Sequence, residues 1–288
     1  LVSITSTADR LNFELPITLR TLLHQHPVSN IHIYVPESDQ TAFADYMERY
    51  PHSTIAHERV RIIPSFDYGP STKYIAPLLE STGEPTGVVV CDDDHVYGNV
   101  VEDLMRYFNA DPSKAYGLRG WRVNKDFSWG VYDAEIEWHI VQGVLIQKPY
   151  RVGVLTANHC YVLNTAWFHP ATNTDASTSP LAALTNYTGA PASAAMVDDI
   201  WLNGHLARLG IPRVVVPSTA LNVDFARSMT LDARMKAKGL VRDTANDEML
   251  GYFGADWEAE GISYVATGED EEVHSWKRWT KRCWTWIW

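Results

Sequence analysis

Cysteine is scarce in this 288-residue sequence, with only Cys91, Cys160 and Cys283. They stand far apart, are odd in number and form no Cys-x-x-Cys pair, which argues against a disulfide framework and a zinc ribbon. Reduced, cytosol-like surroundings are the default expectation. No apolar run approaches the ~20 residues that span a bilayer. Basic residues are outnumbered, 24 against 35 acidic, for a formal net charge of −11. No basic stripe is available to neutralise a nucleic-acid backbone, so nucleic acid is excluded as a partner. An anionic small ligand would need a metal ion or a few local cations against this acidic background. Also missing are the Gly-x-x-x-x-Gly-Lys phosphate loop, the Gly-x-Gly-x-x-Gly fingerprint and the Gly-x-Ser-x-Gly nucleophile elbow. The single glycosylation tripeptide, Asn186-Tyr187-Thr188, has meaning only in a secretory lumen.

What is present is an ordinary globular composition, 45% apolar and 20% charged, with chain enough to bury a large core. Apolar runs at 1–6, 31–35, 60–63 and 88–91 alternate with amphipathic stretches at 15–24, 41–50, 70–80 and 100–108. Strand, helix, strand in this order predicts an α/β fold, a mostly parallel sheet with helices on both faces. The run 88–91 has no polar residue, as expected when both faces of a strand are covered. A kink is expected at Pro77. Further strands are predicted at 115–118, 152–155 and 213–216, a helix at 195–209, and a long loop at 172–193. We divide the chain into a domain over 1–220, with halves of about 1–110 and 111–220, and a C-terminal extension over 221–288 packing on it. The extension ends in Trp276, Trp279, Trp284, Trp286 and Trp288 among Lys and Arg, a composition that suits either packing or peripheral contact with a membrane interface.

Chemistry concentrates in four places. Asp92, Asp93 and Asp94 follow the apolar run 88–91, and ligands of open α/β sheets bind beyond the carboxyl ends of strands. Alternation puts Asp92 and Asp94 on one side and Asp93 on the other. Three adjacent carboxylates repel, and a hard divalent cation, Mn²⁺ or Mg²⁺, offsets that cost. The plain alternative is a solvated acidic turn. Lys73, in Gly69-Pro70-Ser71-Thr72-Lys73, stands in a first helical turn, within reach of a phosphate or of the aspartates. Asp198 and Asp199 open a helix that also carries His205. Finally Arg119, Trp121 and Arg122, with Asn158 and His159, could line a second side of a site, Trp121 stacking on a sugar face. His159 and His205 are either metal ligands or ordinary structural histidines.

An Asp-x-Asp at the end of the fourth strand resembles the motif of GT-A glycosyltransferases, and the resemblance covers roughly residues 1–217. It implies a GT-A, Rossmann-like α/β/α sandwich with a C-terminal elaboration. It implies a nucleotide-sugar donor, UDP ahead of GDP, a hydroxyl acceptor on a glycan, lipid or protein, and Mn²⁺ or Mg²⁺. By that resemblance Asp92 contacts ribose or sugar and Asp94 binds the metal, with Asp92 also close to the ion, and Asp93 open to a shifted register. Thr5, Ser6, Thr7 and Arg10 match the strand end that receives the nucleotide, and Lys73 lies beside it. Asp199 aligns with the general base of inverting members, Asp198 being the alternate, and a late histidine, His205, with an occasional metal ligand. Trp121, Arg119 and Asn158 fall on the acceptor side. A sugar-nucleotide-binding module without turnover and a metal-dependent phosphohydrolase are the competing readings. The expected setting is the cytosol or the cytosolic face of a membrane, or the Golgi lumen if the chain is an excised domain.

Overall fold

A computed structural model describes residues 1–124, 126–129, 140–169, 179–225 and 230–261. The Trp-rich end, Cys283 and residues 172–178 of the expected loop lie outside the described residues. The strands are β1 (Val2–Thr5), β2 (Ile31–Pro36), β3 (Val60–Ser65), β4 (Gly87–Val90), β5 (His95–Tyr97), β6 (Ala115–Gly117), β7 (Arg119–Trp121), β8 (Ile140–Gln142), β9 (Tyr150–Val152), β10 (Val154–Leu155), β11 (Tyr161–Asn164), β12 (Arg213–Val215) and β13 (Asn222–Asp224). The helices are α1 (Glu14–Leu23), α2 (Gln40–Arg49), α3 (Thr72–Glu80), α4 (Val100–Ala110), α5 (Pro180–Thr185), α6 (Asp198–Arg208), α7 (Leu231–Ala237), α8 (Arg242–Tyr252) and α9 (Gly254–Glu260).

The main sheet has the order β3-β2-β1-β4-β11-β6-β12-β9. β3, β2, β1 and β4 run parallel. β11 is antiparallel to both β4 and β6, and β9 is antiparallel to β12. The sheet is mostly parallel with two reversed strands. Side chains of β4 alternate between two cores. Val88 and Val90 join α3, α5, α6, α8 and α9 on one face, and Val89 joins α1 and α4 on the other. That double burial is why the run is apolar throughout. Leu15, Leu19 and Leu22 form the buried stripe of α1, and truncating one of them to Ala should cost about 2–5 kcal/mol. α3 runs through Pro77. Among the described residues no helix is long and apolar enough to cross a membrane.

Three local expectations are revised. The run 152–155 is two strands, because the chain changes sheet at Gly153: β9 pairs with β12 and β10 with β7. The expected loop 172–193 contains α5, whose Ser179 Oγ accepts the Ala182 N–H at 3.1 Å, with Pro180 in the first turn. Both are helix-start signals that the Thr-, Ser- and Ala-rich composition obscured. The described residues after 220 form β13 and three helices. Met235, Met249, Leu250, Phe253 and Trp257 of those helices are buried in the α3/α6 core. Asn186 of the glycosylation tripeptide is exposed, just after α5.

Candidate active site

The strand order reverses between β1 and β4: β2 and β3 extend one way from β1, β4 and the rest the other. A crevice opens at such a switch point beyond the strand ends. Here it is the floor of a cavity of about 820 Å³. Thr5, Ser6, Thr7, Arg10, Lys73, Asp92, Asp93, Asp94, Arg119, Trp121, Asn158, Asp198 and Asp199 all line it. Of the residues chosen from the sequence, Arg122, His159 and His205 are absent from its walls.

The three aspartates follow the end of β4, with Asp93 and Asp94 in a bend, and their carboxylates take different partners. Asp93 turns inward, where Ser6 Oγ donates to its carboxylate at 2.5 Å and Arg10 stands 3.5 Å away. Burial pushes its pKa up to about 6, against the opposing charge of Arg10. Asp92 and Asp94 face the cavity, and their oxygens lie with a ring nitrogen of His95 within 4.8 Å of one another. Lys73 Nζ is 2.7 Å from Asp92, and Arg10 is 2.7 Å from Asp94. His95 Nδ1 is 2.7 Å from the other Asp94 oxygen. Burial tends to raise the Asp94 pKa, but the His95 hydrogen bond and charge, then Arg10, outweigh it and hold the group at about 2. Tyr97 clips the loop, its hydroxyl accepting the Asp92 N–H at 2.9 Å and facing the Asp92 carbonyl at 3.1 Å. Thr18 Oγ1 lies 3.0 Å from the Asp93 carbonyl and 2.9 Å from that of His95. Two carboxylates and an imidazole are a donor set suited to Mn²⁺ and, through the carboxylates, to Mg²⁺. The residues therefore fit a divalent cation.

Across the cavity, α6 presents Asp198 and Asp199 in its first turn. The helix is placed by Asn203. Its Oδ1 accepts the Leu155 N–H at 3.0 Å, and its Nδ2 donates to the carbonyls of Leu155 and Asp199 at 3.0 and 2.7 Å. One turn of helix thereby ties the acidic pair to β10. Gly204 allows the close packing of α6 on Phe253, for a Cβ there would stand 2.3 Å from the ring. Lys73 Nζ reaches Asp198 at 2.7 Å while also holding Asp92. This lysine is buried, and although burial opposes its charge, Asp198, Asp92 and Asp199 keep its pKa well above the usual value. It is set by the turn before α3. Gly69 adopts φ +63°, where a Cβ would meet the Ala195 carbonyl at 3.0 Å, and its N–H donates to Asp67 at 2.8 Å. Asp199 accepts the Ala157 N–H at 3.2 Å. Burial, then the charge of Asp198, pushes its pKa up to about 8, eased by Lys73. A carboxylate so placed is a stronger base than usual.

Arg119, Thr156 and Asn158 form the wall beside Asp199. Arg119 Nε, Thr156 Oγ1 and Asn158 Oδ1 are buried and have no hydrogen-bond partner among the described residues. The Trp121 ring is already engaged, with the Arg119 guanidinium 5.2 Å from its centroid and Trp129 at 4.6 Å. Arg234 of α7, Lys238 at its C-terminal cap and Arg242 of α8 also line the cavity.

His205 corrects an expectation. It sits in the last turn of α6, packed edge-on against Trp201 and Phe253 at centroid distances of 4.6 and 5.4 Å. Burial, then Arg208, lowers its pKa to about 3. Its helix starts at the cavity and carries it away, so it cannot join Asp92 and Asp94; His95 stands there instead. His159 is half-buried, with its pKa lowered to about 4 by burial and by Arg119. Tyr97, Asn203 and the α7/α8 cations escaped the sequence reading, and His95, which ends the acidic run, had no role of its own in it. His95 adjoins the acidic run and had a signal in that adjacency; the others had none.

No family model matches the chain, and no curated protein matches it. Solved structures do. GalNAc-T7 with UDP, GalNAc and Mn²⁺ superposes with a TM-score of 0.52 at 11% identity, over 91% of this chain and 54% of that one. The chain thus spans about half of that protein. A 4-diphosphocytidyl-2C-methyl-D-erythritol synthase from Anaerococcus prevotii gives 0.47 at 10% identity, over 82% of this chain and 95% of that one. The mannosyltransferase PcManGT from Pyrobaculum calidifontis, in complex with GDP-Man and Mn²⁺, gives 0.35 at 12% identity, over 97% and 82%. With the β3-β2-β1-β4 order and the reversed β11, the first of these likenesses defines the class of the fold: it is GT-A-like, a Rossmann-like α/β/α arrangement.

Proposed function

We propose that the protein is a glycosyltransferase. It moves a sugar of the hexose class from a nucleoside diphosphate, UDP ahead of GDP, to the hydroxyl of a glycan, lipid or protein acceptor, with inversion. The observation that carries this reading is that the acidic loop at the β1–β4 switch point and the acidic pair of α6 face one cavity and share Lys73. Donor and acceptor chemistry need two such carboxylate groups, one at the diphosphate and one at the attacking hydroxyl.

Thr5, Ser6 and Thr7 at the end of β1 receive the nucleotide. Asp92, Asp94 and His95 would hold Mn²⁺ or Mg²⁺, which when bound offsets the charge of the leaving diphosphate. Arg10 orients Asp94, and Ser6 keeps Asp93 turned away from the donor face. Asp199 takes the proton of the acceptor hydroxyl, a contribution typically worth about 10²–10⁴-fold, with Lys73 holding Asp198 beside it. Arg119, Trp121 and Asn158 flank the acceptor.

The test is a thermal-shift screen of nucleotide sugars with and without Mn²⁺, followed by transfer assays on the hits. A ligand that binds only the native state raises the apparent Tm by mass action. Mn²⁺-dependent stabilisation by a nucleotide sugar, then transfer, is expected. Binding with no transfer over a broad acceptor panel would mark a binding module. Release of free phosphate would mark a phosphohydrolase. No metal-dependent nucleotide binding would overturn the reading.

A further inference from the structure

Two of the three cysteines, distant in sequence, meet in the fold. The antiparallel register of β11 on β4 sets Tyr161 opposite Val90 and Val162 opposite Val89. One step further along the same ladder, Cys160 stands opposite Cys91. Both side chains point into the α1/α4 core and are fully buried. Their sulfurs are 2.7 Å apart, in residues 69 positions apart in the chain. Directly opposed residues of an antiparallel pair have Cα atoms ~4.5–5.5 Å apart, inside the roughly 4.4–6.8 Å that a disulfide bridges.

The backbone supplies a second, independent observation. Cys160 has φ 60° and ψ 148°, a conformation that glycine adopts without cost and a side chain resists. A cysteine held there implies a compensating contribution from its sulfur, since the fold would be more relaxed with glycine.

We propose that Cys91 and Cys160 form a disulfide. It would clasp the end of β4, where the aspartate loop departs, to the start of β11, just after the Ala157–His159 turn that borders Asp199. The reaction partner is a small-molecule disulfide of the glutathione class. One cysteine thiolate attacks it and releases a first small thiol. The second thiolate attacks the mixed disulfide and releases another. Two protein S–H bonds are replaced by one S–S bond, and the two protons and two electrons leave on the two small thiols. Both sulfurs are sealed in the folded core, so the bond forms while β4 and β11 are pairing. Such a bond persists in an oxidising compartment, the setting in which the exposed Asn186 would be glycosylated. Of the settings expected from the sequence, the cross-link selects the lumen.

The test uses the full chain, refolded from denaturant in a glutathione redox buffer, alkylated with iodoacetamide under denaturing conditions and mapped by peptide mass. The expected result is one cross-linked pair, Cys91 with Cys160, two hydrogens lighter than the separate peptides. Adding reductant should lower the Tm by roughly 4–16 °C. Cys160→Gly, which suits the backbone, should fold, lose sensitivity to reductant, and melt between the oxidised and reduced forms of the unmodified chain. Alkylation of both Cys91 and Cys160 after refolding under oxidising conditions would overturn the proposal. So would a bond from Cys283 to either of them, or a reductant-dependent Tm that survives Cys160→Gly.

Discussion

At the tips of β1 and β4 three aspartates meet Arg10, Lys73 and His95, whereas at the start of α6 two aspartates draw on one lysine that Asp92 already engages. The first group is nearly neutralised, and Asp94 stays ionised down to about pH 2. The second is buried and its two carboxylates repel, and Asp199 holds its proton up to about pH 8. Fold and cavity are shared, so the difference comes from local cations and burial. A group kept ionised is suited to holding a cation or a diphosphate through one. A group that gives up its proton reluctantly is suited to taking one from an alcohol. Lys73 is the hinge of the contrast, for it belongs to both groups.

Removing that hinge should have the largest effect. Lys73→Met leaves Asp92 and the buried Asp198 without their common cation, and loss of one partner from a buried pair costs about 3–5 kcal/mol. Urea unfolding would read this directly; a change within about 0.5 kcal/mol would show that the two carboxylate groups are independent. Asp199→Asn should abolish transfer, by about 10²–10⁴-fold, with Mn²⁺-dependent nucleotide binding intact. Normal turnover would eliminate it as the base.

The same variant should be more stable than the parent. Burial and Asp198 raise the Asp199 pKa well above the usual carboxylate range, so the folded state binds a proton the unfolded state has lost. Its ionisation therefore destabilises the fold as pH rises. The gain from Asp199→Asn should be absent below about pH 4 and reach about 1–2 kcal/mol by about pH 8. For Asp94 the sign is reversed: its stabilising contribution is present above about pH 4 and lost as pH falls towards 2. In the parent, kcat/KM should climb until about pH 8 and then level, because the base must be ionised. A flat profile from pH 6 to 8 would break the contrast between the groups.

Smaller effects sharpen it. Asp94→Asn should weaken Mn²⁺ binding by about 10–100-fold, measured by titration calorimetry, while Asp93→Asn should leave it within a few-fold, since Asp93 points at Ser6. Equal losses would place the metal in the other register. His205→Leu should be the mildest. It keeps the packing against Trp201 and Phe253, removes the unpartnered Nε2, and should shift stability by less than about 1.5 kcal/mol with no change in Mn²⁺ affinity.

The first half of the fold was legible because its signals are local. Each of β1 to β4 is an apolar run, and α1 to α4 carry helical spacing or a proline at the start. That β4 is followed by three carboxylates could be read from the sequence, but the direction of each could not, because Asp93 and Asp94 lie in a bend and not in a strand. Legibility declined where partners are remote. The run 152–155 looks like one strand, and only the competition of β12 and β7 for its halves divides it at Gly153. β13 has no marked pattern of its own; it forms by pairing with β5, Asn222 opposite Tyr97 and Asp224 opposite His95. His205 was misplaced because helical position alone does not say which end of α6 faces the cavity.

By itself the sequence determined the α/β layering and the carboxylates at strand and helix ends, because apolar periodicity and side-chain alternation follow from backbone geometry within a few residues. Tertiary structure alone decided that Lys73 bridges Asp92 and Asp198, that His95 rather than His205 joins the aspartates, and that Cys91 meets Cys160. Those contacts depend on strand order and register, which are settled by burying both faces of one sheet together.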